Sequence, residues 1–442
     1  MDKNLRFIAK LVLLSCTGIM GYILSREQFT VFISQYLLAF AAFWYLFKNQ
    51  DDLKSLLRFS YLLRIVLLFA TPALSNDFYR FIWDGRMSVL GFNPYLVLPN
   101  EFSSSGTMAL VGEDAWQLYE GQGTLSPGNY TCYPPVNQFF FILPAWIFPE
   151  NILFSMVTLR IMLIAADIGT IHYGRKILKM LGMPESNILL YALNPFVVIE
   201  ITGNLHFEGV TIFFLILAVY HLLKNKWGWS ALFLTLSVSV KLIPLIFLPL
   251  FLKKLGQRGL IKYSLFVCLG SVLLFLPFLS EGLYTNFMSS IDLYFRRFEF
   301  NASIYYLIRS IGYQVYGWNI IQKAGPLLGI LVFAIMLQLA IIPKNQKPKV
   351  LLNSMLISVS IYYFMTTTVH PWYIAIPLIL SVFTTYRFAV LWSLVVMLSY
   401  SAYQIEGFQE NFWLIATEYG VVYGYFGYEF LKSYRIRKNK LC

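Results

Sequence analysis

Residues 75–95, SNDFYRFIWDGRMSVLGFNPY, set Asp77, Arg80, Asp84 and Arg86 among aromatics, directly after the apolar run YLLRIVLLFATPAL. Acids beside arginines at the mouth of an apolar run suit one chemistry well. A carboxylate takes the proton of an attacking hydroxyl while cations neutralise a phosphate leaving group, and the neighbouring apolar segments hold a lipid. Asn204, His206 and Glu208 in GNLHFEG, Lys241 in SVSVKLIPL, Arg296-Arg297 with Glu299 and Asn301, and His370 in TTTVHPWY are equally out of place in apolar sequence. An ionisable residue at membrane depth is costly and marks a pathway or a site.

Each has a plainer reading. Asp77 and Arg80 at i,i+3, or Arg80 and Asp84 at i,i+4, form local ion pairs if their stretch is helical. Lys241 can snorkel, Arg296-Arg297 can be a solvated face, and His370 can belong to an interfacial aromatic belt. His206 more often satisfies a neighbour than binds a metal, and the four histidines show no pairing that fits zinc. The argument for a site is the convergence of these residues on one side of the membrane.

That side follows from the elements between them. Of 442 residues, 58% are hydrophobic and only 13% charged, against about 25% charged in a soluble domain. Apolar runs near span length recur throughout, so the chain reads as an all-α polytopic membrane protein. The net charge of +12 sits in short clusters between those runs, such as Arg175-Lys176-Lys179, Lys253-Lys254 and the tail Lys432 to Lys440. Such clusters mark the cytoplasmic side and not a nucleic-acid surface. Cys16, Cys132, Cys268 and Cys442 are scattered, with no metal or disulfide spacing.

With the N-terminus inside, runs at 7–24, 29–47 and 58–74 carry Asp77 to the outer face. Residues 75–136 then form a first outer segment, too long for a simple connector, and the short run 138–148 dips in and returns. Segments 229–240 and 242–252 read as two half-helices meeting near Lys241 and Pro244. Such breaks are tolerated at membrane depth only when buried or lining a wet cavity. A second outer segment spans 280–318, and about eleven to thirteen crossings with re-entrant half-helices are expected in a single domain over residues 1–442.

A transporter is expected to carry charges at the midplane and internal symmetry between halves, and neither is evident. A transferase with a lipid-phosphate donor fits better, with a flippase or exporter of a lipid-linked glycan as the alternative and a non-catalytic assembly subunit as a third.

NDFYRFIWDGRMSVLGFNPY followed by NYTCYPPVNQ resembles the first lumenal loop of multi-spanning glycosyltransferases of the GT-C fold. The likeness is to the GPI mannosyltransferase I catalytic subunit and bacterial polyprenyl-phosphate-mannose-dependent relatives. It continues in order through AADIGT, LNPFVVIEITGNLHFEG, VSVKLIPLIFLPL and FEFNASIYYLIR. The family's Asp-x-Asp has Ser75 at its first acid, the stretch 96–130 is long, and HPWY at 370–373 fits the bacterial relatives.

The resemblance implies an inverting transfer of a hexose, with mannose the family's lean. The sugar moves from a polyprenyl phosphate to a hydroxyl of a lipid- or glycan-linked acceptor; no cofactor or metal is expected, since the cations named here can neutralise the leaving phosphate. The expected setting is the outer face of a bacterial inner (cell) membrane, with membrane lipids and no nucleic acid as partners. Asp77, with an ordinary pKa of about 3.9, is the expected base, with Asp84 the second catalytic candidate. Arg86, Lys241, Arg296, Arg297, His370 and Asn204 are the candidate substrate ligands, since Arg grips phosphate with two hydrogen bonds and Lys acts as a point charge. Tyr133, with Tyr79, Trp83, Tyr95 and Trp372, offers a stacking surface for sugars.

Overall fold

The computed structural model describes residues 2–50, 52–404 and 408–438, so Lys440 and Cys442 lie outside the described residues. The described chain is helical, and its nearest approach to a sheet is one isolated parallel bridge between Phe300 and Thr368. α1 (Asp2–Tyr22) and α2 (Phe29–Lys48) pack as a hairpin. α3 (Leu53–Val66) starts at Asp52, whose carboxylate accepts from the Lys54 amide at 2.9 Å, a cap that satisfies one of the free amides of the first turn.

After an irregular strap, the polar segment forms α4 (Asp77–Val89), α5 (Pro99–Ser105), α6 (Ala115–Gly121) and α7 (Pro135–Ile147). These helices pack on a second core, shared with segments that follow, which holds Phe78, Phe81, Trp83, Phe102, Leu118 and Phe141. α4 and α7 touch so closely at Gly85 that a Cβ there would lie 2.0 Å from the Phe141 carbonyl oxygen. α7 thus lies along α4, and its 13 residues reach about 20 Å at 1.5 Å per residue, short of a hydrocarbon core of about 30 Å.

α8 (Ile152–Met180) is a full span with Lys179 in its last turn. α9 (Leu189–Ala192) and a π-helical segment, Val197–Gly203, follow, the two arms of this break bent by 62°. α10 (Glu208–Leu223) and α11 (Trp227–Val238) come next. The chain then breaks at Lys241 and continues as a 3₁₀ segment, Ile243–Phe251. α12 (Leu252–Leu274) turns at Gly256, whose φ of 69° suits glycine. α13 (Leu283–Arg296) and α14 (Ile304–Tyr316) precede α15 (Ile321–Ala340), α16 (Pro348–Met365), α17 (Ala375–Val382), α18 (Phe388–Val395) and α19 (Phe412–Lys438).

Among the described residues five helices are long and apolar enough to cross a membrane, or six with the bent pair as one span. The remainder of the eleven to thirteen crossings expected falls on shorter helical pieces. Five shorter apolar helices accompany the long ones, and prolines at 244, 249, 371 and 377 punctuate them. The result is an all-helical polytopic membrane bundle of the GT-C type.

Buried ion pairs and carbonyl contacts lock the bundle near the polar segment. Arg64 of α3 pairs with Asp167 of α8, and both are fully buried. Arg160 donates to the carbonyls of Thr202 (2.9 Å), Gly203 (2.9 Å) and Leu68 (2.8 Å), tying the π segment to the strap that leads to Asp77.

Candidate active site

Asp77 is the first residue of α4, where a carboxylate favours the positive end of the helix dipole. Its amide donates to Ser75 Oγ at 3.3 Å, so the serine that replaces an acid in this stretch supports the start of the helix. The strap is fixed from behind by Asn204, which accepts from the Leu74 amide at 3.1 Å and reaches Glu200 at 3.5 Å. Asn204, expected to hold substrate, spends both ends of its amide on the protein.

Asp77 belongs to a cluster assembled from four parts of the chain. Burial raises its pKa above the usual 3.8, outweighing the pull of the nearby Lys241 ammonium, and Glu208 pushes it up. The expectation of an unperturbed Asp77 is therefore corrected: it is a stronger base than a solvated aspartate. Glu208 begins α10 and pairs with Lys241, whose ammonium also lies 4.7 Å from the centre of the Tyr373 ring.

The indole of Trp372 stacks with His206 at 3.7 Å and with His370 at 4.5 Å between ring centres. The backbone bonds between Phe300 and residues 367 and 369 bring the second polar segment against this stack, so that Phe300 faces His370 at 5.1 Å. Burial, with Lys241 and His206 nearby, pushes His370 down to about 3. It is a neutral imidazole and not one of the cations in the pool expected to bind phosphate.

Lys241 and Glu208 stand at the head of a largely apolar cavity of about 390 Å³ walled by the 3₁₀ segment and α15–α17, with Ile246, Met336 and Tyr363 among its lining. A second cavity of about 440 Å³, bordered by Asp292, Arg296 and α15, shares Gly329 and Phe333 with the first. Arg296 thus sits along the same path, exposed and paired with Asp292 at 3.0 Å. Arg297, exposed, follows α13 directly.

The remaining candidates are built into the polar segment. Asp84 is buried, accepting from Arg80 Nε at 2.6 Å and from Gln138 at 3.2 Å, so Arg80 chooses Asp84 at i,i+4 over Asp77. Arg86 makes a two-point contact with Asp114 and donates to the Val111 carbonyl at 3.2 Å. Tyr133 packs edge-on to Phe81 and Phe141, and its carbonyl accepts from Tyr95. Among the described residues no three His, Cys, Asp or Glu side chains gather in a metal-binding group.

Sequence reasoning passed over Glu200, a fully buried acid that accepts from Tyr400 at 2.8 Å and faces His206. A lone acid in VVIEITG was the available signal.

Residues 15–255 match a family model described as alpha-(1->6)-mannopyranosyltransferase, N-terminal domain. Alpha-(1->6)-mannopyranosyltransferase A of Corynebacterium glutamicum is 24% identical over 202 residues, 45% of this chain and 38% of that protein. The human Dol-P-Man:Man(5)GlcNAc(2)-PP-Dol alpha-1,3-mannosyltransferase is 38% identical over 102 residues, 22% of this chain and 23% of the human one. The chain therefore matches well under half the length of these curated relatives. The family match takes in Asp77, His206, Glu208 and Lys241.

Proposed function

The chain belongs to the alpha-(1->6)-mannopyranosyltransferase family, and from that premise we propose that it transfers mannose from a polyprenyl phosphate to a sugar hydroxyl. The reaction takes place on the outer face of a bacterial cell membrane, with inversion at the anomeric carbon. The human relative is named for a dolichyl-phosphate-linked mannose donor, which agrees with a lipid monophosphate sugar here.

One observation carries this reading: Asp77 shares an electrostatic cluster with Lys241 and Glu208, and that lysine and glutamate head an apolar cavity. The cavity receives the polyprenyl chain, its lining of Ile246, Met336 and Phe333 matching an isoprenoid in polarity. The donor phosphate rests by Lys241, held in place by Glu208, and Arg296 lies further along the path as a second cation. Arg297 is close to that mouth by sequence. The acceptor hydroxyl loses its proton to Asp77 as its oxygen bonds to the anomeric carbon, while the bond from that carbon to the phosphate oxygen breaks. Polyprenyl phosphate leaves with the bonding electrons, stabilised by the cation.

The test is direct. Purified protein in nanodiscs, given polyprenyl-phosphate [¹⁴C]mannose and octyl α-mannoside, should yield labelled disaccharide and an equal amount of polyprenyl phosphate. Movement of the donor between leaflets with no polyprenyl phosphate released would assign a flippase instead.

A further inference from the structure

His206 holds one ring nitrogen whose protonation the surroundings fix. Its Nδ1 lies 2.9 Å from the Glu200 carbonyl oxygen. A carbonyl only accepts, so Nδ1 carries the hydrogen. A Glu200 carboxyl oxygen lies 3.2 Å from the same nitrogen. Burial depresses the imidazole to about 4, against the opposing pull of Glu208 and Asp77, so the ring is neutral near pH 7. Its Nε2 is then a bare lone pair.

That nitrogen is shut away from solvent and has no hydrogen-bond partner among the described residues. Buried polar atoms are nearly always paired, and an orphan calls for an explanation. The ring cannot turn to find a partner of its own, because Trp372 stacks on it at 3.7 Å and Glu200 holds the opposite edge. The backbone is bent to hold it there. Leu205, immediately before it, has a φ of 61° with its side chain fully buried, a left-handed conformation that costs a non-glycine residue and gathers at functional sites.

The chemistry of the missing partner follows from the lone pair. It must be a hydrogen donor, which excludes the oxygens of a phosphodiester. A sugar hydroxyl fits, and Asp77, which takes part in the same cluster, marks where sugar hydroxyls gather if the chain is a mannosyltransferase. We infer that His206 Nε2 accepts a hydrogen bond from a sugar hydroxyl bound beside Asp77, making His206 a substrate-reading residue. The inference rests on the transferase reading. The hydroxyl belongs either to the donor mannose or to the acceptor glycan.

The experiment pairs variants with deoxy sugars. His206→Asn keeps a donor near the Glu200 carbonyl and deletes the Nε2 position, whereas His206→Gln restores a polar atom near it. The substrates are polyprenyl-phosphate mannose, octyl α-mannoside and the single-position deoxy analogues of each, assayed in nanodiscs with melting temperatures alongside. Wild type should use one analogue roughly tenfold worse than its parent, the usual worth of one hydrogen bond. His206→Asn should lose roughly tenfold on the parent and nothing more on that analogue, while His206→Gln keeps most of the preference. Coupling on a donor analogue assigns the donor, and coupling on an acceptor analogue assigns the acceptor. A wild type that transfers mannose yet penalises no deoxy analogue overturns the His206 contact without any variant. So does a His206→Asn that loses equally on every substrate. A wild type that transfers no mannose overturns the transferase reading itself, and this contact with it.

Discussion

Replacing Lys241 by Met removes the cation at the head of the apolar cavity and strands its partner. Glu208 is 2% exposed while Lys241 is 21% exposed, so the carboxylate bears most of the consequence. Breaking a buried pair from one side costs about 3–5 kcal/mol because the remaining charge is uncompensated. The partial exposure of Lys241 places this pair toward the lower figure, about 3 kcal/mol. Adding Glu208→Gln to Lys241→Met removes the stranded charge and should recover most of that stability. Donor binding should not recover. Loss of a charge-assisted hydrogen bond costs about 1.5–3 kcal/mol, so kcat/KM for donor should fall roughly ten- to hundredfold in both the single and the double variant. Thermal unfolding in detergent reads the first effect, and donor titration at saturating acceptor reads the second. A double variant that regains wild-type donor KM along with its melting temperature would show that Lys241 serves packing alone.

Two further perturbations test the scaffold and the base. Gly85→Ala places a methyl carbon 2.0 Å from the Phe141 carbonyl; overpacking of this kind costs about 1–3 kcal/mol, so the melting temperature should drop while the KM values of the surviving protein hold. Asp77 works as a base only when ionised, and its raised pKa, set by burial, puts the acid limb of kcat/KM above the 3.8 of an ordinary aspartate. Because Lys241 pulls that pKa down, the limb should move to higher pH in Lys241→Met, and an unmoved limb would uncouple the two residues. The sign for stability is opposite: a raised acid pKa costs stability once pH exceeds the unfolded value. Asp77→Asn should therefore melt no lower than wild type at neutral pH.

The spans, the polar segment carrying Asp77 and the break at Lys241 are legible in the sequence because they rest on local patterns. Apolar runs, a long polar stretch and a lysine beside Pro244 in apolar surroundings suffice. The Arg80–Asp84 pair is likewise readable from i,i+4 spacing. Arg86 is different, since its partner Asp114 lies 28 residues away in a loop whose path no local rule gives. His370 reads as a cation until its burial between Phe300 and Trp372 is seen. His206 looks like a filler histidine because Glu200 and Trp372, which fix its tautomer and ring plane, come from the π segment and from 166 residues further along. Packing on neighbours, not intrinsic helix length, sustains the short helical pieces.

Turnover of Asp77→Asn at saturating donor and acceptor tests the central claim most directly. Asparagine keeps the size of aspartate and most of its hydrogen bonding but removes the basicity. If Asp77 takes the acceptor proton, transfer should fall about 10²–10⁴-fold with donor KM and melting temperature held. Asp84→Asn, measured beside it, should lose stability by loosening the contact with Arg80 while the folded fraction keeps its turnover. An Asp77→Asn protein that retains more than a tenth of wild-type turnover, next to an inactive but folded Asp84→Asn, would contradict the account and move the base to Asp84.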